Sequence, residues 1–174
     1  MSAKAYPEQS WRYISMKVLI IYDSFFGNTE QIAQAIGSAL GSQEKVEILR
    51  VSHVKPEQLT GLNLIIVGSP TRGFRPTPAI NQLLESIPKH GLKGVKVAAF
   101  DTRISMDDID SRILPPLVKV FGYAAKPIAA KLKKKEGELA IPPEGFFVEG
   151  TEGPLKVGEL ERAADWAKQI MATR

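Results

Sequence analysis

The chain has 174 residues, 44% hydrophobic and 24% charged, with a formal net charge of +4, a sequence pI near 9.3 and a mean hydropathy of −0.09, which suits one globular domain able to bury its own core. It contains no cysteine, which excludes disulfides, thiolate catalysis and cysteine-ligated metal, and its two histidines, His53 and His90, have no second ligand at metal spacing, so no metal site is predicted. The mildly basic balance permits an anionic partner without requiring one.

The first 15 residues, MSAKAYPEQSWRYIS, carry Trp11 and Tyr13 but lack the apolar stretch of a secretory signal. They are expected to form a flexible extension ahead of a domain spanning residues 16–174, with Met16 as an alternative start. No apolar run approaches the ~20 residues that span a bilayer, so the expected location is cytoplasmic, with no membrane role. Val18–Tyr22 is a continuous apolar run and predicts a strand buried on both faces. The stretch YDSFFGNTEQIA, residues 22–33, then hands the chain from strand to helix. Gly27 supplies a tight turn, Asn28 reads as an N-cap, and Gln31 three positions on resembles a capping box. Ile32, Ile36 and Leu40, with Ala33 beside them, give the first helix one apolar stripe.

Val46–Val51 mixes in Glu47 and Arg50 and predicts a strand nearer an edge, whereas Leu64–Val67 and Val95–Phe100 are again continuous apolar runs. A helix is predicted over residues 77–87 from Ile80, Leu83, Leu84 and Ile87, with Pro76 and Pro78 marking its start. From 102 to 144 the pattern is weak: Asp107, Asp108 and Asp110 read as cap and first-turn charges. Pro115–Pro116 and Pro127 are expected to break any helix there, with an apolar piece at 117–125. Lys131, Lys133, Lys134 and Lys135 read as a solvated helix end. A nucleic-acid role would need aromatics interleaved with these charges, and none is predicted. Gly145–Val148 is a fifth strand, and residues 158–171 form a closing helix with Leu160, Ala164, Ala167, Ile170 and Met171 as its stripe and Trp166 in packing.

Strands alternating with helices imply a parallel sheet with right-handed crossovers. In such a sheet an anion sits at the turn between the first strand and first helix, where free amides and the helix dipole converge. The usual nucleotide motifs are absent: no GKS or GKT ending, no GxGxxG after the first strand, and Gly68–Ser69 where a receiver domain carries an aspartate.

Three loops carry a resemblance. SFFGNTE at 24–30 resembles the phosphate loop of the flavodoxin family, LIIVGSPTRG at 64–73 is similar to its third strand and ring-side loop, and KVAAFDTR at 96–103 to its fourth strand and the loop opposite. The resemblance covers residues 17 to about 110, and more loosely the last strand and helix. It implies an α/β flavodoxin-like three-layer sandwich with a five-stranded parallel sheet of order 2-1-3-4-5, and non-covalent FMN as cofactor. It implies phosphate binding by the hydroxyls of Ser24 and Thr29 and the backbone of Phe25, Phe26, Gly27, Asn28 and Thr29. Phe26 departs from the pattern, since it stands where the family has a hydroxyl residue. Ser69, Pro70, Thr71, Arg72, Gly73 and Phe74 would border the ring on one side and Asp101, Thr102 and Arg103 on the other. Phe74 and Phe25 are the candidates for aromatic contact, and Arg72, Arg75 and Arg103 for contact with an anion.

No side chain is placed to act as nucleophile or base, so no catalytic residue is assigned. The resemblance implies electron transfer through FMN to a redox partner protein. Two alternatives stay open: an FMN-dependent NAD(P)H:quinone-type reductase acting on a small quinone-like substrate, and a flavin-free anion-binding module.

Overall fold

Strands that are apolar at every position have two faces to bury, and the fold covers both. The computed structural model describes residues 15–42, 44–105 and 123–173. In chain order the elements are β1 (Lys17–Tyr22), α1 (Asn28–Leu40), β2 (Lys45–Arg50), β3 (Leu64–Pro70), α2 (Pro78–Ser86) and β4 (Lys96–Ile104). They are followed by α3 (Ala125–Lys134), β5 (Glu138–Leu139), β6 (Glu144–Val148) and α4 (Glu159–Ala172). All pairings are parallel, in the order β2-β1-β3-β4, and both β5 and β6 pair with β4 on its far side. The fifth position of the sheet is therefore one strand broken in two.

Alternate residues of β1 feed opposite cores. Val18, Ile20 and Tyr22 pack with Ile32, Ile36 and Leu40 of α1 and with Ala163, Trp166, Ala167 and Ile170 of α4. Leu19 and Ile21 pack with Ile80 and Leu84 of α2 and with Ile128, Ala129 and Leu132 of α3. Phe100, Phe146 and Trp166 meet edge to face, with centroids 6.0–6.2 Å apart. Gly68 is required beneath them, because a Cβ there would overlap the Phe100 ring.

Two readings of the sequence are corrected, and one strand went unread. Pro127 does not break a helix; it is the third residue of α3, where a missing N–H costs nothing because first-turn amides have no intrahelical acceptor. The stripe of α4 runs through Ala163, Trp166, Ala167 and Ile170, and Leu160 is exposed, since Trp166 sets which face turns inward. Glu138–Leu139 pairs with Lys96 and Val97, although two exposed residues leave no apolar run to read. The extension before Ser15, the acidic cluster at Asp107, Asp108 and Asp110, Pro115–Pro116 and most of the apolar piece at 117–125 lie outside the described residues.

Candidate functional site

The carboxyl ends of β1, β3, β4 and β6 surround a cleft of about 270 Å³, at the place where β1 is flanked by β2 on one side and β3 on the other. Its floor begins with the turn after β1. Asp23 donates its amide to the Gly68 carbonyl at 3.1 Å, which ties the turn to β3, and its carboxylate accepts the Ser24 amide at 2.9 Å. The Ser24 hydroxyl accepts the Gly27 amide at 3.0 Å. Gly27 adopts the left-handed conformation, φ 83° and ψ −7°, and is itself the N-cap of α1. Among the described residues no hydrogen bond uses the amides of Phe25, Phe26, Asn28, Thr29 or Glu30. They are donors at the positive end of a 13-residue helix.

The capping role read for Asn28 is corrected here. Asn28 is the first helical residue, and its side-chain amide donates to the Glu152 carbonyl at 2.9 Å, tethering α1 to the loop before α4. Gly153 backs directly onto this side chain, leaving no room for a Cβ. Thr29, almost fully buried, shares a hydrogen with Thr102, the two hydroxyl oxygens being 2.8 Å apart. One of the two hydroxyls must donate, so the other keeps its hydrogen for a further acceptor.

The loop after β3 is equally constrained. The Thr71 amide donates to the Thr102 carbonyl at 2.9 Å, and Arg72 and Arg75 exchange both backbone hydrogen bonds at 3.0 Å. Between them Gly73 and Phe74 have φ of 51° and 66°, the paired positive angles of a tight hairpin turn. This turn sends Phe74 away from the cleft, to a separate depression shared with Arg75 and Lys131. Ser69 is fully buried; its hydroxyl donates to the Pro70 carbonyl at 2.9 Å and accepts the Thr77 amide at 3.0 Å. Pro70, Thr71, Arg72 and Gly73 do line the cleft.

On the β4 side, Asp101 is buried and grips Arg103 with both oxygens, at 2.6 and 2.7 Å. It also accepts the Ala125 amide at 2.7 Å. Burial pushes the Asp101 carboxyl above its ordinary value, against the opposing pull of Arg103 and of the Ala125 amide. The Arg103 guanidinium lies 3.7 Å from the centre of the Tyr123 ring and covers Gly145, where a Cβ would collide with it. Thr102 and Arg103 line the cleft, whereas Asp101 holds its wall from behind.

Each arginine therefore has its own electrostatic setting. Arg103 is neutralised by Asp101. Arg75 faces the neighbouring depression. Arg72 lines the cleft with its guanidinium 5.1 Å from the centre of the Phe25 ring, and among the described residues it has no carboxylate partner. Phe25 and Phe26 remain about half exposed, at 55% and 47%.

Sequence reasoning missed four residues. Ile104, Val148 and Thr151 complete the cleft; the register Ile104↔Val148 brings two of them together, and no local motif announces it. Arg50 at the end of β2 donates to the Ser24 carbonyl and lies 3.6 Å from Asp23. Its position at the end of an edge strand was the available signal. No group of acidic or histidine side chains among the described residues is arranged to hold a metal ion.

A family model for the flavodoxin domain matches residues 19–141. A flavodoxin of Picosynechococcus sp. is 38% identical over 55 residues, an alignment covering 32% of this chain and 32% of that relative. The chain thus matches about a third of that relative's length. The fold is similar to that of oxidised flavodoxin 1 from Bacillus cereus, with a TM-score of 0.72, 18% identity and coverage of 90% of this chain and 97% of the other. It is also similar to a flavodoxin from the domain Archaea, with a TM-score of 0.70, 21% identity and coverage of 91% and 99%.

Proposed function

The chain belongs to the flavodoxin family, and from that premise we propose that it carries electrons between redox partners through FMN held in the cleft. The observation that supports this reading most strongly is the set of backbone amides of Phe25, Phe26, Asn28, Thr29 and Glu30. They have no hydrogen-bond partner among the described residues, stand at the start of α1, and border a cleft lined by three further strand ends. A donor set of this kind suits a phosphate monoester, because hydrogen bonds to a charged acceptor contribute roughly 1.5–3 kcal/mol each. Ser24 and the Thr29–Thr102 pair add hydroxyls beside it. Phe26 offers no hydroxyl, so the backbone takes the larger share of the phosphate.

Bound FMN supplies the electron chemistry itself. The protein's residues bind, orient and bias it. Pro70, Thr71 and Gly73 form one wall, fixed to the other by the Thr71–Thr102 hydrogen bond. Thr102 and Arg103 form the second, held rigid by Asp101. Arg72, without a carboxylate partner among the described residues, presents its cation to the cleft and Phe25 an aromatic face. No acid or base is needed.

The alternative is a reductase that takes hydride from a nicotinamide and passes electrons to a quinone. The two are separated by mixing the FMN-loaded protein anaerobically with NADH or NADPH and then with a soluble quinone. A carrier is reduced by dithionite and reoxidised by the quinone, but shows no sustained turnover of the nicotinamide. Continuous nicotinamide oxidation coupled to quinone reduction would replace the carrier reading with the reductase.

A further inference from the structure

At the opposite end of the sheet, where the strands begin, lies a groove of about 420 Å³ between the crossover following β2 and the lower half of α2. Its floor is apolar. Val54 and Leu59 come from the crossover, Leu83 from α2 and Ile87 from just beyond its end, and all four belong to or abut the core on that face of the sheet. Among the described residues no carboxylate lines it, and lysines stand on and beside its walls. Lys55 is part of the wall. Lys17 donates its ammonium to the carbonyl of Thr60, a wall residue, at 3.0 Å. On the other wall Lys135 donates to the carbonyls of Glu85 and Ile87. Lys89 and Lys93 are exposed on the loop that closes the lower end. Of the nearby carboxylates, Glu85 is paired with Lys131; Glu136 contacts His90, Glu47 accepts the Gln58 amide and Glu57 stands beside them, so the five lysines around the groove outnumber these four carboxylates.

We propose that this groove is a docking site for an acidic, amphipathic segment of a partner protein, whose apolar side chains fill the floor while its carboxylates meet the lysine rim. Apolar floor and charged rim are the anatomy of a protein interface, and an amphipathic segment laid in a groove is a recurring way to occupy one. The sign of the rim selects the partner: an acidic segment gains attraction and faster encounter, whereas a basic one is repelled. The chain's own first 14 residues have the wrong sign, carrying Lys4 and Arg12 against Glu8. The site faces away from the cleft, so occupying it leaves the carboxyl ends of the strands open. It does not depend on the cofactor reading.

The test uses the full chain, isotope-labelled for NMR, and three synthetic helical peptides of one apolar pattern: one with glutamates on its polar face, one with lysines there, and one with the glutamate sequence scrambled. The glutamate peptide is expected to shift the amides of Val54, Leu59, Leu83 and Ile87. Its binding should weaken about ten-fold as salt rises from about 0.05 to about 0.5 M. The surface double variant Lys55→Glu/Lys89→Glu should lose about ten-fold in affinity at unchanged thermal stability. Shifts confined to the cleft residues, equal binding of the lysine peptide, or no shifts in the groove of the full chain would each overturn the proposal. The last result is also what a groove filled by the chain's own N-terminal residues, or by a second copy, would give. Displacement of the glutamate peptide by laurate with identical shifts would reassign the groove to a fatty-acid ligand.

Discussion

Asn28 and Arg72 show how a side chain's role follows from where the backbone places it. Asn28 looks like a cap in the sequence, but Gly27 takes the cap position and Asn28 becomes the donor that ties α1 to the Glu152 carbonyl. The distinction is measurable with Asn28→Asp. A carboxylate is a good residue at or near a helix N-terminus, so a capping role would leave stability unchanged or raised. As a tether it cannot donate, and the carboxylate would face a carbonyl oxygen; we expect a loss of about 1–3 kcal/mol in urea denaturation, together with weaker FMN binding. Among the described residues Arg72 is the cation at the cleft without a carboxylate partner, since Arg103 is paired with Asp101 and Arg75 is turned away. Its charge favours negative charge gathered in the cleft. Arg72→Gln should therefore lower the potential for the second electron by tens of millivolts, since ~59 mV corresponds to about 1.4 kcal/mol for one electron and an exposed charge is screened below that. The double variant Asp101→Asn/Arg103→Gln, which removes the ion pair as a unit, should move it less. An anaerobic titration against a reference dye gives both values, and a larger shift for the double variant would contradict the assignment.

Among the elements, α3 is the one whose placement depends most on the site. Ala124, its N-cap, supplies no capping side chain. The first amides are instead taken by the Thr71 hydroxyl at 3.0 Å and the Asp101 carboxylate at 2.7 Å, so the same residues shape the cleft and fasten a helix. Asp101→Asn would leave the largely buried Arg103 without its counter-charge, and breaking a buried pair from one side costs about 3–5 kcal/mol. Thermal unfolding of the FMN-free protein checks this; a change below about 1 kcal/mol would show that Arg103 finds solvent instead. The sequence made β1, β3 and β4 plain because each is built on a run of four apolar residues, Val18–Ile21, Leu64–Val67 and Val97–Phe100. Helix α1 was plain through Ile32, Ile36 and Leu40. The start of α3 was not, because its caps come from Thr71 and Asp101, distant in the chain. Likewise the cleft loops were legible as local motifs, whereas Ile104, Val148 and Thr151 arrive only through the register of β4 with β6.

On the scale of the whole molecule, two cores cover the two faces of one parallel sheet. Its strand order creates a crevice at the carboxyl ends, beside β1, where such sheets bind ligands. Loops from β1, β3 and β4 are cross-linked there by Thr29–Thr102 and Thr71–Thr102, so the donors are positioned before any ligand arrives, which lowers the ordering cost of binding. No helix among the described residues is long and apolar enough to cross a membrane. The central claim is that the Phe25–Glu30 amides are a phosphate cradle and supply much of the affinity for FMN. It is tested most directly by titrating the FMN-free protein with FMN and with riboflavin, which share the ring and ribityl chain and differ in the phosphate. Several charge-assisted hydrogen bonds of roughly 1.5–3 kcal/mol each predict that FMN binds at least about a hundred-fold more tightly. Equal affinities for the two would contradict the account.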